Sequence, residues 1–281
     1  MDPRSMMDDG AAAIGMESLR IRRDGIVAAA ALEVQPLEVS LRNLGRQVAL
    51  AAPAKLALSR AGAPVVLAEA PAWAEGDLSV VTIRTALAMG LQWLNRNGAS
   101  AEPVDVVPGK ETRDPGESCT CWIEETLGAI PCTWERVDPC AYRVRTASAA
   151  TAAWIEPIAG VAAVRVRHDA RPLRAPTPDV ERALGLFALE ANARFRFARL
   201  SVGRPERSHD GPARDVVSAT WDAVVLPGPA GVRWLGEALE ALEAADAETR
   251  RGLRALTNAA VAEAYLVARD PRRRGRGVAA V

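Results

Sequence analysis

Cys119, Cys121, Cys132 and Cys140 fall within one short stretch of the chain. Four thiols so close together are a candidate ligand set for zinc, which takes four soft tetrahedral donors and adds folding energy to a small domain. The spacing argues the other way. C-x-C, ten residues, Cys, then seven residues and Cys lacks the paired C-x-x-C knuckle of most structural sites. The expectation is therefore no cofactor, with zinc at these four residues as the single exception worth testing. The only histidines are His168 and His209. Either could do acid–base work if a carboxylate faced it, but His209 adjoins Asp210 in a polar stretch and reads as a solvated pair. No H-E-x-x-H, G-x-S-x-G or Walker loop is present, and no glycines cluster into a phosphate cradle. Glu124, Glu125 and Glu190 have the spacing of solvated helix faces. The chain carries no recognisable catalytic constellation and is expected not to be an enzyme.

The elements that hold these residues divide the chain. Residues 1–16, with Met6, Met7 and Met16 as rival starts, read as a disordered opening. Residues 17–98 form an α/β region: Gly25–Val34 fits strand or helix, Ala54–Ala61 a short helix, and Pro64–Glu69 a buried strand. Leu78–Asn95 has Val80, Ile83, Leu87, Leu91 and Leu94 on one helical face, with Gly98 just past its end. Residues 99–117, with three Pro and two Gly, read as a linker. In residues 118–268 the pattern is cleaner. A short helix spans Trp122–Leu127, and a hairpin turns at Asp138-Pro139, where Tyr142 and Val144 alternate with Arg143 and Arg145. Strands at Trp154–Ile158 and Val161–His168 come next, then a helix from Pro178 to about Asn192. Phe195, Phe197, Leu200 and Val202 read as a strand whose alternation slips near Ala198. Val217–Val225 is the cleanest strand. A last helix, striped by Val232, Leu235, Leu239 and Leu242, is expected to break near Glu248–Gly252. This order predicts an α+β fold, an antiparallel sheet packed with helices, rather than a Rossmann fold.

Composition narrows the partners. The formal net charge is zero, so nothing global favours nucleic acid or an anionic membrane. Residues 269–281 form a basic tail in which Arg269, Arg272, Arg273, Arg274 and Arg276 face Asp270 alone, without an aromatic to stack on a base. The Arg- and Ala-rich usage, with lysine only at Lys55 and Lys110, fits a GC-rich bacterial genome. No apolar run is long enough to span a bilayer and the N-terminus lacks a signal-peptide pattern, so a cytoplasmic location is expected.

The fragments TWERVDPCAYRVRT, VAAVRVRHD, ERALGLFALEANARFRFARLSV and VVSATWDAVVLPG, followed by the helix GVRWLGEALEALEAAD, resemble the YbjN family and the class I type III secretion chaperones. The most specific part is LEANARFRFARLSV, where Asn192 matches an Asn that ends a helix before a strand enters the sheet. The resemblance covers residues from about Trp122 to Tyr265. It implies a homodimeric α+β module without catalytic residues that holds another polypeptide. By analogy Phe195, Phe197 and Trp221 are candidate contact residues, with core packing the favoured use of all three. One departure is charge: secretion chaperones are strongly acidic, whereas Glu117–Ala268 holds 18 Arg against 20 acids. The expected function is thus a chaperone-like or regulatory protein-binding module. The alternative is a regulator stabilised by metal at the cysteines or associated with nucleic acid.

Overall fold

The computed structural model describes residues 21–23, 27–34, 44, 47, 50, 52–73, 78–98, 115–147, 151–158, 162–204 and 215–269. The expected opening segment, His209, residues 99–114 of the expected linker and the basic tail beyond Arg269 lie outside them.

Four strands, β1 (Arg22–Arg23), β2 (Val27–Glu33), β3 (Ala54–Leu58) and β4 (Pro64–Pro71), make an antiparallel sheet in the order β1-β2-β4-β3. Helix α1 (Leu78–Gly98) covers it, burying Ile83, Leu87 and Leu94 as their spacing predicts. The helix comes so close that a Cβ on Gly90 would sit 2.8 Å from Val66 Cγ1 and 3.4 Å from Ala54 Cβ. Glycine is used here for its missing side chain rather than for a turn. The expected helix at Ala54–Ala61 is corrected to strand β3. Alanine favours helices in isolation, but Ala54–Leu58 lies in full register against Pro64–Ala68, and that pairing overrides local preference.

The second part opens with α2 (Pro115–Ala129), which starts inside the expected linker and runs longer than the predicted Trp122–Leu127 helix. Strands β5 (Cys132–Asp138), β6 (Ala141–Thr146), β7 (Ala153–Pro157), β8 (Val164–Arg167) and β9 (Arg171–Arg174) follow. Then come α3 (Pro178–Arg194), β10 (Arg199–Gly203), β11 (Val216–Val225), α4 (Gly231–Ala255) and α5 (Ala259–Arg269). The strand order is β10-β11-β8-β7-β6-β5, with β9 also paired to β11, and every described pair is antiparallel. The chain is an α+β protein of two antiparallel sheets packed with helices.

One register row across this sheet, Tyr142–Ile155–Val166–Ala223, is wholly buried and forms the floor of the second core. The alternate row, Glu135–Arg143–Trp154–Arg167–Asp222–Arg199, lies on the opposite face. Along it the side-chain exposure falls from 64% at Glu135 to 0% at Asp222 and 4% at Arg199. One end of the sheet is therefore open and the other sealed.

Helix α3 begins as its sequence dictates: Thr177 Oγ1 accepts from Val180 N at 3.3 Å, Pro178 occupies the first turn, and Asp179 and Glu181 face the N-terminal dipole. Its Val180, Ala183, Leu184 and Ala188 enter the second core, while Leu189 enters the first. Two corrections follow further along. Phe195 and Phe197 are not on a strand: they form a turn in which Phe197 has φ of 56°, and β10 starts at Arg199. That turn is the physical origin of the slip in alternation near Ala198. The last helix does not break at Glu248–Gly252. Gly252 stays helical and lets the Phe187 ring come within 3.0 Å of where a Cβ would stand. The break falls instead at residues 256–258, where Asn258 Oδ1 accepts from Ala260 N (3.0 Å) and Val261 N (3.3 Å) to start α5. Val232 is exposed, and Trp234 takes its place in the inner stripe of α4.

Candidate functional site

Charged side chains seldom bury themselves unless paired, so the buried ones mark where this structure is most constrained. Four of them, Lys55, Glu69, Arg199 and Asp222, gather at the seam between the two sheets. Lys55 Nζ lies 2.8 Å from Glu69 Oε2 and donates to Phe195 O (2.5 Å) and Ala198 O (3.1 Å). Glu69 Oε2 in turn accepts from Phe197 N at 2.7 Å. The first sheet thus grips the strained turn of the second part from both sides, which explains how Phe197 is held in a left-handed conformation. Burial pushes the Lys55 ammonium below its ordinary range, and the neighbouring Glu69 carboxylate opposes that shift.

Beside this pair, Arg199 is bidentate to Asp222 (Nε to Oδ1 2.9 Å, with Nη2 on Oδ2), and it also donates to Ala54 O (3.0 Å) and Leu50 O (3.3 Å). Arg165 adds a second cation 4.0 Å from Asp222 Oδ2, and burial lowers its pKa. Two amides complete the seam. Gln47 Oε1 accepts from Leu56 N (3.1 Å) and its Nε2 donates to Leu200 O (2.8 Å). Asn192 Nδ2 donates to Leu56 O (2.8 Å) and Leu200 O (3.2 Å), and its Oδ1 accepts from Leu200 N (2.6 Å). Leu56 lies on edge strand β3 and Leu200 on edge strand β10. The two side-chain amides therefore bridge the edges of both sheets where a further strand would otherwise sit.

A cavity of about 20 Å³ lies in this seam, lined in part by Lys55, Glu69, Phe197, Arg199 and Trp234. It has room for about one water molecule, against the ~300–1,000 Å³ of a small-molecule site. The seam is built to join two sheets, and its Lys55–Glu69 and Arg199–Asp222 pairs are used up in doing so.

The other end of the second sheet is different. Its edges are β10, β9 and β5. The first is covered by Gln47 and Asn192, and every residue of it is buried. The second is four residues long and contains Pro172, which has no N–H to offer. Strand β5 is seven residues long, and all but Cys132 are exposed. Its register with β6 is regular from Cys132 to Arg136 and shifts between Arg136 and Asp138. Trp134 (40% exposed) and Val137 (51%) are among the most exposed large apolar side chains described. Trp134 packs edge-on to the buried Tyr142 ring at 5.9 Å. The Tyr142 hydroxyl donates to Glu124 Oε1 at 2.9 Å, and burial together with that carboxylate pushes its pKa up to about 12. A hollow of about 290 Å³ lies beside β5, lined by Thr133, Trp134, Glu135, Arg143, Val144, Arg145 and Ala152.

The residues singled out from the sequence are placed as follows. Cys119 is buried in α2, Cys121 is exposed on the same helix, Cys132 begins β5 and Cys140 lies in the turn that follows its far end. A strand of that length spans ~20 Å, far beyond the ~2.3 Å Zn–S bond. The four candidate thiols are thus not brought together, and among the described residues no three His, Cys, Asp or Glu are gathered for a metal. Burial raises the pKa of Cys119 and Cys132, which keeps both as thiols. Trp221 is buried, meets Phe195 edge-on at 5.5 Å and donates to Thr249 Oγ1 at 3.1 Å. Phe197 packs between Trp73 and Trp234, at 6.3 and 6.1 Å. All three of these aromatics serve the core and the seam. His168 is buried with its Nδ1 unpartnered, near Asp246. Burial works to raise Asp246, but hydrogen bonds from Arg250 and Arg171 prevail and hold its carboxyl below the ordinary range. That carboxylate is committed to two arginines.

Sequence reasoning passed over Gln47, Lys55, Glu69, Arg199 and Asp222. One signal was available: Lys55 is one of two lysines in the chain and interrupts its longest apolar run.

No protein-family model matches this chain, and no curated protein matches it in sequence. Among the described residues no helix is long and apolar enough to cross a membrane.

Proposed function

We propose that this protein is a non-catalytic, chaperone-like or regulatory module that holds an extended segment of another polypeptide along β5. The observation that carries this is the open β5 edge. It is the one long edge of the second sheet left uncovered among the described residues, and it displays Trp134 and Val137 beside a hollow. An exposed edge offers unpaired backbone N–H and C=O groups along its length, and natural proteins ordinarily cover or blunt such an edge unless it is used. The element order α2, five strands, α3, β10, β11, α4 also supports the resemblance to the YbjN family and the type III secretion chaperones. A cytoplasmic setting and a homodimer belong to the same reading.

The test is selection of displayed peptides on the immobilised full chain, followed by hydrogen exchange of the complex. Binding peptides are expected to protect the amides of Trp134 and Arg136, which face away from β6, and Arg136→Pro, which removes one of these edge donors, is expected to weaken binding without unfolding the chain. Selected peptides that bind the Arg136→Pro variant equally well would sink the proposal. Light scattering at high micromolar concentration tests the homodimer, and a strictly monomeric chain removes it.

A further inference from the structure

The polypeptide-binding reading leaves open what sequence β5 would accept, and the charges around it are informative. Thr133 and Glu135 project to the outer face of the sheet, opposite Arg145 and Arg143 of β6, while Trp134 between them projects to the helix-bearing face opposite Val144. Arg143 is engaged: it lies 3.6 Å from Glu135 Oε1, and its guanidinium sits over the Trp154 ring at 5.9 Å. Arg145 is exposed and has no carboxylate within ion-pair distance among the described residues. It stands where the outer face falls away, because β7 begins only at Ala153 and the small Ala152 leaves the hollow beside it.

A strand added to β5 would lie ~4.8 Å outside it, and so ~10 Å from the backbone of Arg145. A guanidinium and a carboxylate reaching over the short Thr133 side chain close that gap. Opposite Glu135 the preference reverses, since a like charge directly across an antiparallel pair is unfavourable and a cation is favoured. Opposite Trp134 an apolar side chain covers the indole face. Every described strand pair in this protein is antiparallel, and antiparallel pairing is also the slightly stronger mode.

We infer that the segment held on β5 runs antiparallel to it, with a basic residue opposite Glu135, an apolar residue opposite Trp134 and an acidic residue opposite Thr133. Its recognition sequence is therefore basic–apolar–acidic in chain order. This rests on the polypeptide-binding reading above and adds a chemical rule to it.

The test uses two capped peptides of identical composition, Ser-Thr-Lys-Val-Glu-Thr-Ser and Ser-Thr-Glu-Val-Lys-Thr-Ser, titrated into isotopically labelled full chain and followed by NMR. The first is expected to shift the amides of Cys132–Arg136 and to bind about fivefold to tenfold more tightly than the second, as two exposed charge pairs allow. In Arg145→Gln, an exposed substitution whose folding is checked by circular dichroism, the ratio is expected to shrink by about half on a logarithmic scale. Added salt is expected to compress it further. Equal affinities with both peptides shifting β5 overturn the charge rule and leave the edge reading standing. Tighter binding of the second peptide overturns the rule and its direction. If neither peptide moves the β5 amides at millimolar concentration, the edge reading falls with the rule.

Discussion

Replacing Lys55 with Met removes the cation at the centre of the seam while keeping a chain of similar length. Glu69 is then left buried with only Phe197 N on its Oε2, and the carbonyls of Phe195 and Ala198 lose their shared donor. Breaking one partner of a buried pair costs ~3–5 kcal/mol, because the surviving charge stays desolvated. Against a total stability of ~5–15 kcal/mol for an ordinary domain, that is a large fraction. Removing Glu69 as well, in Lys55→Met with Glu69→Leu, eliminates the orphaned charge. What remains is the loss of hydrogen bonds to Phe197 N and the two carbonyls, at ~1 kcal/mol each if water reaches them. The double variant is therefore expected to be more stable than Lys55→Met alone, with a coupling energy of at least ~1–2 kcal/mol. Urea unfolding followed by both far-ultraviolet circular dichroism and tryptophan fluorescence measures this. Coincident transitions with unchanged slope license the comparison. A Lys55→Met cost below ~1 kcal/mol, or a double variant as unstable as the sum of the singles, would refute the claim that this pair fastens the two sheets.

Asn192→Ala removes three hydrogen bonds at once and strands Leu200 N in a buried site, so a loss of about 2–4 kcal/mol is expected in the same assay. A loss under about 0.5 kcal/mol means that the amide bridge is not a supporting contact. His168 gives the pH dependence. Burial lowers its pKa in the fold, so the unfolded chain binds the proton more readily. Stability from the neutral imidazole is present above the unfolded value of ~6.5 and declines as pH falls through it toward the folded pKa. His168→Gln is expected to flatten the stability profile between about pH 7 and 5 relative to the unsubstituted chain. Parallel profiles in that window would show that the imidazole is not buried as described.

Much of the second part was legible because its strands are half-buried, so Tyr142 and Val144 had to alternate with Arg143 and Arg145. Helix α1 was legible for the same reason at helical spacing. The failures have a common physical cause in contacts remote in sequence. Phe195 and Phe197 alternate as a strand would, yet Lys55 and Glu69, more than a hundred residues earlier, bend them into a turn. Gly252 looks like a helix stop until the Phe187 ring is seen filling the space it leaves. The four cysteines are close in number only, since the length of β5 separates Cys132 from Cys140 in the turn beyond it. The polar joint was hidden because buried charges resemble surface charges in a sequence; only the apolar run around Lys55 sets it apart.

The bridge built by Gln47 and Asn192 also bears on how this protein can change over time. A backbone ladder between two strands survives nearly any exchange of side chains, because its donors and acceptors belong to every residue. Here the edges of β3 and β10 meet through two side chains, and each is specified by one codon. A single nucleotide change can therefore remove one of the two amides and weaken the cover of both sheet edges at once. That amide bridge is a heritable weak point of the fold, and aggregation or strand exchange after substitution at Gln47 or Asn192 is its natural failure mode.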